Sequence, residues 1–388
     1  MSTSARPYSG PGSVYLIDAN NFLYRAYHAL PPLSAPDGTP VNAVHGFVRM
    51  VQAIRKELTP ETIVAVFDSP GPSFRAKLYP EYKANRPPPP DDLVPQFELV
   101  RKATDALGIP RIEAPEIEAD DLIASYALAA QRSGKSVVIV SSDKDLMQLV
   151  GKKSDGGAAI EIYDTMKNKV VDPQAVVDKW GVGPALLGDL LALTGDSSDN
   201  IPGIKGIGPK TAAELLKEYK DLEGVLAAAP GIKQKKRREM LIEHAADARL
   251  SRKLVELRGD LELPRPLEEM KDKGTDPDVM TAFFAPLGFR SLVGAAAVAK
   301  AVAQVTARSG GETVGAHELQ PASTPLKLDP ATFKAILADD EAHLVETLAA
   351  LAKCEAVVVQ VAVDHSDAML ANLVGVALAG VGDEAPAP

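Results

Sequence analysis

Three short apolar runs, each ending in an aspartate, constrain the fold of this chain more than any other feature. The runs are Val14 to Asp18, Thr62 to Asp68 and Ser136 to Asp143. Each is long enough for one buried strand, and helical patterns lie between them, which is typical of a parallel α/β sheet. Ligands of such sheets collect at the carboxyl ends of the strands. We therefore expect the three aspartates to meet at one edge of the sheet.

A dense acidic stretch, Ile117 to Ala124, supplies further carboxylates just before an apolar helical pattern. Glu118, Asp120 and Asp121 fall within four positions, where they repel one another unless a cation neutralises them. Acidic residues also favour a helix N-terminus for its dipole alone. The stretch by itself does not decide between these two interpretations.

Two more acidic pairs complete the set of candidate metal ligands. Asp143 and Asp145 lie two positions apart in a turn, and Asp196 and Asp199 lie three apart, so they can face one way. Aspartate is common in turns, but its arrival at three strand ends favours a metal pocket. The candidate ligands are Asp18, Asp68, Glu118, Asp120, Asp121, Asp143, Asp145, Asp196 and Asp199.

The segment 69–95, which we call the gateway, has a different composition: it is basic, aromatic and rich in proline. Such a segment makes a poor core and suits a mobile surface element. A solvated linker helix is the alternative interpretation. As a functional element it would cover the acidic pocket, with Lys83 and Arg86 facing a phosphate and aromatic rings stacking on bases.

A glycine-rich hairpin, residues 203–211, opens an amphipathic helix shortly after the last acidic pair. Glycines allow close approach of a backbone, and Pro209 suits a first helical turn. Free N–H groups at the helix start predict a site for a DNA phosphate. A basic run at 233–238 is either a solvated helix face or an additional backbone contact. The expected DNA-binding residues are Arg75, Tyr82, Gly203, Lys205, Gly206, Gly208, Lys210 and Thr211.

The charge distribution is compatible with a nucleic-acid partner, although the chain carries a net charge of −10. Residues 311–388 hold 3 basic and 12 acidic residues, and residues 1–310 have a net charge of −1, or +8 without the nine candidate ligands. A basic surface around an acidic pocket suits phosphate binding combined with metal chemistry. The single cysteine, Cys354, excludes an internal disulfide, and no apolar run has the length of a membrane span. We expect a cytoplasmic, nucleoid-associated monomer.

In combination, these motifs resemble the 5′-nuclease (flap endonuclease) family, and most of all the N-terminal 5′→3′ exonuclease domain of bacterial DNA polymerases I. They occur in the family's order over residues 14 to about 295. The motifs are Leu16-Ile-Asp18-Ala-Asn, Ala65-Val-Phe-Asp68, Phe74-Arg75, Tyr82-Lys83-Ala-Asn-Arg86-Pro, Glu118-Ala-Asp-Asp121, Ser142-Asp143-Lys-Asp145 and Thr194-Gly-Asp196-Ser-Ser-Asp199-Asn-Ile-Pro-Gly203.

The resemblance implies a PIN-like parallel sheet flanked by helices, a helical DNA-binding subdomain of the helix-hairpin-helix type, and two divalent cations, Mg²⁺ or Mn²⁺. Lys83 and Arg86 would position the scissile phosphate, and the hairpin would grip duplex DNA, with a potassium ion there. One cation site would centre on Asp18, Asp68 and Asp120, the other on Asp143, Asp145 and Asp196. Glu118, Asp121 and Asp199 would bridge or act through water.

The expected domain organisation has five parts. After a linker, the last part resembles the start of a 3′→5′ proofreading domain, forming an incomplete α/β unit. That domain normally carries Asp-x-Glu on its first strand, whereas Gln360 and Ala362 stand here. Neither can be a hard anionic ligand for Mg²⁺, so we predict an inactive unit. The parts are a flexible tail (1–13), a catalytic α/β domain (14–180), a helical DNA-binding subdomain (181–297), a linker (298–330) and the truncated unit (331–388).

The function that we predict is metal-assisted phosphodiester hydrolysis, with two cations roughly 4 Å apart on either side of the phosphate. The substrates would be DNA with 5′ ends or flaps, and RNA primers, in repair and primer removal, with a polymerase domain fused downstream. Two alternatives stay open. A PIN-like ribonuclease would share the acidic strand ends, and a DNA-binding module without catalysis would have lost some of the acids.

Overall fold

A computed structural model describes residues 7–10, 12–151, 158–289, 356–363 and 373–381. The chain forms two compact units, residues 1–309 and 310–388. The predicted linker at 298–330 and a helix expected at 341–352 lie outside the described residues.

The first unit is built on a six-stranded sheet with the order β3-β2-β1-β4-β5-β6. Neighbouring strands are parallel from β3 to β5, and β6 runs antiparallel to β5. The parallel α/β sheet is thus confirmed. The apolar run at 159–163 predicts, from the sequence alone, a strand at the edge of the sheet; this prediction is wrong, because β6 pairs with the outer side of β5. The strands are β1 (Ser13–Asp18), β2 (Thr62–Val66), β3 (Arg111–Ile112), β4 (Ser136–Val140), β5 (Ile160–Asp164) and β6 (Lys169–Val171).

Helices cover this sheet and form a second, helical region after residue 181. Short 3₁₀ helices occur at Asp145–Leu149, Ala229–Gly231 and Leu267–Glu269. The helices are α1 (Ala19–Ala29), α2 (Asn42–Leu58), α3 (Phe74–Leu78), α4 (Val94–Ala106), α5 (Ala119–Arg132), α6 (Pro173–Trp180), α7 (Pro184–Thr194), α8 (Pro209–Tyr219), α9 (Leu222–Ala228), α10 (Lys235–Glu243), α11 (Ala245–Val255) and α12 (Pro277–Phe284).

Two apolar cores, one on each face of the sheet, explain the continuous apolar strands. In β1, Val14 and Leu16 join the core that contains α5 and the helical region. Tyr15 and Ile17 join the opposite core, with residues of α1, α2, α4 and α12. Every residue of β1 is buried, as expected for a strand covered on both faces.

The element boundaries differ from the sequence expectation mainly where a carboxylate caps a helix. α1 begins at Ala19, not at Phe22, because the Asp18 side chain accepts a hydrogen bond from the Asn21 N–H and caps the helix. The pattern over 108–113 predicts a strand, and the strand that forms there, β3, has two residues. α6, β6 and α9 are short elements that the apolar patterns did not reveal.

Part of the predicted N-terminal tail is hydrogen-bonded to the first unit. The Gly10 N–H donates to the Leu58 carbonyl, and the Gly12 N–H donates to Glu61. The Tyr15 hydroxyl donates to the Tyr8 carbonyl. These contacts bring the chain into β1 from the side of α2.

The described part of the second unit is a pair of antiparallel strands, β7 (Ala356–Val363) and β8 (Leu373–Val381). Gln360 lies opposite Ala377, and Ala362 lies opposite Gly375. Both residues that the resemblance aligns with the acids of a proofreading site therefore lie within β7. Among the described helices, none combines the length and apolarity needed to cross a membrane.

Candidate metal centre

Four aspartates lie at the carboxyl edge of the sheet, and hydrogen bonds from backbone and hydroxyl groups hold three of them. Asp18, at the end of β1, accepts from the Ser141 hydroxyl at 2.8 Å, just beyond β4. Asp68 follows β2 and accepts from the N–H of Ala119, the first residue of α5, at 2.8 Å. Asp143 follows β4 and accepts from the Asp145 N–H. The fourth, Asp120, lies in the first turn of α5.

The electrostatics show that these four carboxylates share one pocket. Burial, and then the charges of Asp68 and Asp143, raise the pKa of Asp18 to about 7. Burial, followed by Asp143 and Asp18, raises the pKa of Asp120 well above its ordinary value. Mutual repulsion of this kind is relieved by a nearby cation. We refer to Asp18, Asp68, Asp120 and Asp143 as the first carboxylate cluster.

A second carboxylate cluster consists of Asp145, Asp196 and Asp199, whose potential ligand oxygens lie within 4.8 Å of one another. Asp145 Oδ1 is buried and accepts no hydrogen bond from the described residues. Burial, and then the charge of Asp143, raise the pKa of Asp145 to about 8. A buried, unpartnered oxygen among carboxylates matches the hard oxygen donors that Mg²⁺ and Mn²⁺ prefer. The residues present therefore fit a divalent cation.

Two basic side chains neutralise part of this second cluster. Lys144 Nζ lies 2.6 Å from Asp196 Oδ2, and Arg86 Nη2 lies 2.6 Å from Asp199 Oδ1. The other Asp196 oxygen accepts from the N–H and hydroxyl of Ser198. Burial lowers the pKa of Lys144, but Asp145 and Asp196 raise it more, so the ammonium group stays charged. Within the part of the chain that the structure describes, Asp145 is the member of this cluster that forms no ion pair with a basic side chain.

Lys83, on the gateway, is held over the pocket by a strained backbone. Its φ of 57° is in the left-handed region. This conformation costs free energy in a residue with a side chain, and residues that adopt it are concentrated at functional sites. Its N–H donates to the Asp199 carbonyl at 2.9 Å, and its Nζ lies 3.0 Å from Glu118 Oε1. Lys83, Arg86 and Glu118 are thus brought together beside the second cluster.

Arg75 and Asp121 occupy positions that differ from their predicted roles. The Arg75 side chain is 3% exposed, and its guanidinium group donates to both oxygens of Asp121 at 2.7 and 2.9 Å. It also donates to Glu118 and to the carbonyls of Leu254 and Glu256. Since Asp121 is fully buried and paired, its contacts are those of a structural counter-ion, and Arg75 has no surface to offer to DNA.

Tyr82, expected to stack on a base, is also buried. Its hydroxyl lies 3.1 Å from both Glu118 Oε2 and Asp199 Oδ2. The residue is 8% exposed, so it contacts the carboxylates and has little surface left to stack on a base. Tyr82 links the carboxylate at the start of α5 to the second cluster.

The glycine hairpin joins α7 to α8 and is anchored by two apolar side chains that the sequence analysis did not single out. Ile204 and Ile207 are buried, whereas Lys205, Gly208 and Lys210 are exposed and Thr211 is partly buried. A Cβ at Gly203 would lie 2.2 Å from the Thr194 carbonyl oxygen. The anchored hairpin therefore presents its lysines and the first turn of α8 to solvent.

Two residues at the pocket were missed from the sequence, Ser141 and Lys144. Ser141 lies at the end of β4, where a strand–loop junction places it against Asp18. Lys144 lies between two predicted ligands, and this position was the only available signal. Which carboxylate it pairs with depends on a loop some fifty residues later, and sequence spacing does not show that contact.

Comparison with known proteins places this geometry in a family. Residues 13–181 match the family model described as 5′-3′ exonuclease, N-terminal resolvase-like domain. Residues 182–278 match that of the 5′-3′ exonuclease, C-terminal SAM fold. The chain belongs to the 5′-3′ exonuclease family, and with it to the hydrolytic nucleases.

Two relatives illustrate how much of each protein is shared. DNA polymerase I of Rhizobium leguminosarum is 45% identical over 72% of this chain, which is 28% of its own length. The 5′-3′ exonuclease of Aquifex aeolicus is 38% identical over 72% of this chain and 94% of its own length. The chain thus spans under a third of the polymerase and nearly all of the exonuclease.

Solved structures of the bacteriophage T5 enzyme share the fold. A T5 5′-exonuclease with bound zinc, and a T5 flap endonuclease in complex with DNA and metal ions, each superpose with a TM-score of 0.53 at 19% identity. Each comparison covers 76% of this chain and 98% of the T5 protein. The PIN-like α/β architecture expected from the sequence is thereby confirmed.

Proposed function

We propose that the chain is a divalent-metal-dependent 5′→3′ exonuclease and 5′-flap endonuclease that acts on DNA. One observation carries the proposal: two carboxylate clusters meet at the carboxyl edge of the sheet, with the basic side chains of Lys83 and Arg86 beside them. Acidic side chains alone would suit cation storage, and basic side chains alone would suit phosphate binding. Both together suit hydrolysis of a phosphodiester.

We assign one divalent cation to each cluster. Asp18, Asp68, Asp120 and Asp143 would hold one, and Asp145, Asp196 and Asp199 the other, with Mg²⁺ or Mn²⁺ as the ion. When bound, such cations stabilise charge on a phosphoryl group and lower the pKa of water. Glu118 contacts Lys83, Arg75 and Tyr82. We therefore propose that it positions these side chains and does not bind a cation. Asp121 is not proposed as a ligand.

Lys83 and Arg86 would act on the scissile phosphate. Their positive charges lie beside the clusters, where they can neutralise the non-bridging oxygens as charge develops. The strained Lys83 backbone fixes where its side chain starts, which keeps the reorganisation on substrate binding small. Arg86 is half-exposed and can exchange Asp199 for a phosphate at the surface.

The hairpin is proposed to bind the DNA backbone away from the reacting phosphate. Lys205, Lys210 and the Thr211 hydroxyl lie at the exposed start of α8, where N–H groups attract an anion. Gly206 and Gly208 keep side chains out of the approach, whereas Gly203 lets the hairpin backbone pack against the Thr194 carbonyl. A potassium ion at this hairpin is part of the same proposal. The buried Arg75 and Tyr82 are assigned positioning roles instead of DNA contacts.

Further parts of the proposal concern the biological setting. We propose a cytoplasmic, nucleoid-associated monomer that removes 5′ flaps and RNA primers in replication and repair, fused to a polymerase domain. Residues 14–180 and 181–297 would be the catalytic domain and the DNA-binding subdomain. Residues 331–388 would belong to a proofreading-type domain that is inactive because of Gln360 and Ala362. A reading frame with polymerase motifs downstream would support the fusion.

The direct test uses a 5′-labelled flap DNA with Mg²⁺. We expect Asp120→Asn combined with Asp143→Asn to lower the rate by ~100-fold or more, because the first cluster loses two anionic oxygens. Asp260→Asn, at an exposed aspartate, is the matched control and should retain full activity. Full activity in the double variant would refute the mechanism.

The same assay separates the alternatives. Faster cleavage of single-stranded RNA than of flap DNA would favour a PIN-like ribonuclease. Flap binding without turnover in either Mg²⁺ or Mn²⁺ would indicate a binding module. We expect neither result.

A further inference from the structure

Lys144 pairs with one of the three carboxylates of the second cluster, Asp196. Asp196 Oδ1 is taken by the Ser198 N–H at 3.0 Å and hydroxyl at 2.7 Å. This leaves Oδ2 as the oxygen open to a ligand, and Lys144 Nζ lies 2.6 Å from it. Asp196 is 6% exposed, so the pair is held within the pocket and is not a solvated surface contact.

The cluster would be poorly tolerated without this ammonium group. Asp145, Asp196 and Asp199 bring three carboxylates within reach of one ion, and buried like charges repel strongly. Arg86 neutralises Asp199 from outside, whereas Lys144 neutralises Asp196 from the adjacent loop. A side chain between two of the acids in sequence thus supplies positive charge while no cation is bound.

We infer that Lys144 is an internal counter-ion that holds the second cluster together in the absence of metal and must leave Asp196 before a divalent cation can bind there. An ammonium group and a divalent cation at the same carboxylate oxygen repel each other strongly at contact distance. The Lys144 side chain is 26% exposed, so its flexible stem has a way to solvent. The inference rests on the proposed metal function and adds a residue that sets how tightly this site binds its ion.

Two opposite effects follow for Lys144→Met, which keeps the length of the side chain and removes the charge. Without metal, the variant should be less stable than the parent because Asp196 loses its partner. With metal, it should bind the ion more tightly, because no ammonium group has to be displaced. A merely structural lysine would lower stability in both states and leave affinity unchanged.

The test is titration of the full chain with Mn²⁺ by calorimetry, without DNA and therefore without turnover, alongside thermal unfolding in EDTA. We expect Lys144→Met to tighten one of the two binding constants about tenfold, equivalent to ~1.4 kcal/mol, and to unfold at a lower temperature in EDTA. Lys144→Arg, which retains the charge, should restore the parent behaviour in both measurements. Asp145→Asn should weaken the constant that Lys144→Met tightens.

Lys179→Met is the matched control. Lys179 is exposed and close enough to interact with the charges of Lys144 and Asp143. The variant therefore removes one positive charge from the same region and leaves the contacts of Asp196 unchanged. Equal tightening in this variant would overturn the inference in favour of a general charge effect. Mn²⁺ constants for Lys144→Met within twofold of the parent would also overturn it. If the parent binds no Mn²⁺, the proposed metal function fails as well.

Discussion

At the scale of single residues, Arg75 illustrates how a basic side chain in a motif can serve the fold. It reaches two acids at the start of α5 and two carbonyls at the end of α11. The guanidinium group of Arg75 therefore joins the gateway, α5 and the helical region. Bidentate geometry and full hydrogen bonding are the conditions under which a buried ion pair is tolerated.

Removing one partner of this pair should be strongly destabilising. We expect Arg75→Met to lower the free energy of unfolding by ~3 kcal/mol or more, because Asp121 is left as an unpaired buried charge. Urea unfolding monitored by circular dichroism measures this. Arg111→Met, at an arginine with 36% exposure, is the control and should cost ~1 kcal/mol at most. Parent stability with weakened DNA binding would restore the DNA-contact role predicted from the sequence.

The sequence could indicate which residues are chemically important, but not which of them face one another. The aspartates at strand ends were predictable because parallel strands place their carboxyl ends at one edge, and Asp18, Asp68 and Asp143 follow this rule. Asp120 and Asp121 are adjacent in sequence, yet one faces the other carboxylates and the other faces Arg75. That difference depends on the rotation of α5 and on where α11 ends, and neither is encoded locally.

At the scale of elements, the gateway and the loop after α7 are held together by hydrogen bonds to backbone carbonyls, two of them donated by asparagine side-chain amides. The Lys83 N–H donates to the Asp199 carbonyl, the Asn85 amide to the Ser197 carbonyl, and the Asn200 amide to the Glu81 carbonyl. These contacts therefore connect the loop that carries Asp196 and Asp199 to the gateway segment that carries Lys83 and Arg86. The sequence predicted both elements, but it did not predict these contacts, because they involve backbone groups more than a hundred residues apart.

The hairpin contains two kinds of glycine, which separate fold from function. Gly203→Ala should destabilise the protein by ~2 kcal/mol or more, because its Cβ would meet the Thr194 carbonyl oxygen at 2.2 Å. Gly208 has an extended backbone, and a Cβ there would have no atom within 4 Å. Gly208→Ala should therefore keep stability within ~1 kcal/mol.

Thermal unfolding and flap-DNA affinity would be measured together for both variants. We expect Gly208→Ala to bind DNA more weakly at nearly unchanged stability, since its absent side chain leaves room for a ligand backbone. Unchanged DNA affinity in Gly208→Ala would contradict the proposed role of the hairpin. Parent-like stability in Gly203→Ala would contradict the close approach seen in the structure.

At the scale of the whole molecule, the carboxylate clusters couple stability to pH and metal. Burial and neighbouring acids raise the pKa of Asp18 to about 7 and that of Asp145 to about 8, from an ordinary value of 3.8. Between the ordinary pKa of 3.8 and these raised values, the folded state binds more protons than the unfolded state, so the free energy of unfolding falls as pH rises. A bound cation stabilises the ionised carboxylates and removes this loss.

The expected outcome is that Mg²⁺ raises the unfolding temperature little at pH 5 and by on the order of 5 °C at pH 8. Scanning calorimetry in Mg²⁺ and in EDTA across this range measures the difference. The variant with both Asp18→Asn and Asp145→Asn is the control and should show a much smaller pH dependence in EDTA. A gap between Mg²⁺ and EDTA that is constant with pH would show that these groups do not carry the linkage.

The last described helix of the first unit, α12, has a consequence for how this nuclease can be joined to other proteins. Phe284 and Phe289 are buried in the same core as β1 and stack on each other, and Phe289 also contacts His45 of α2. The residues recognisable as the family end earlier, at 278. The seam at which a partner domain can be attached in a gene fusion, without opening one face of the sheet, therefore lies after Phe289.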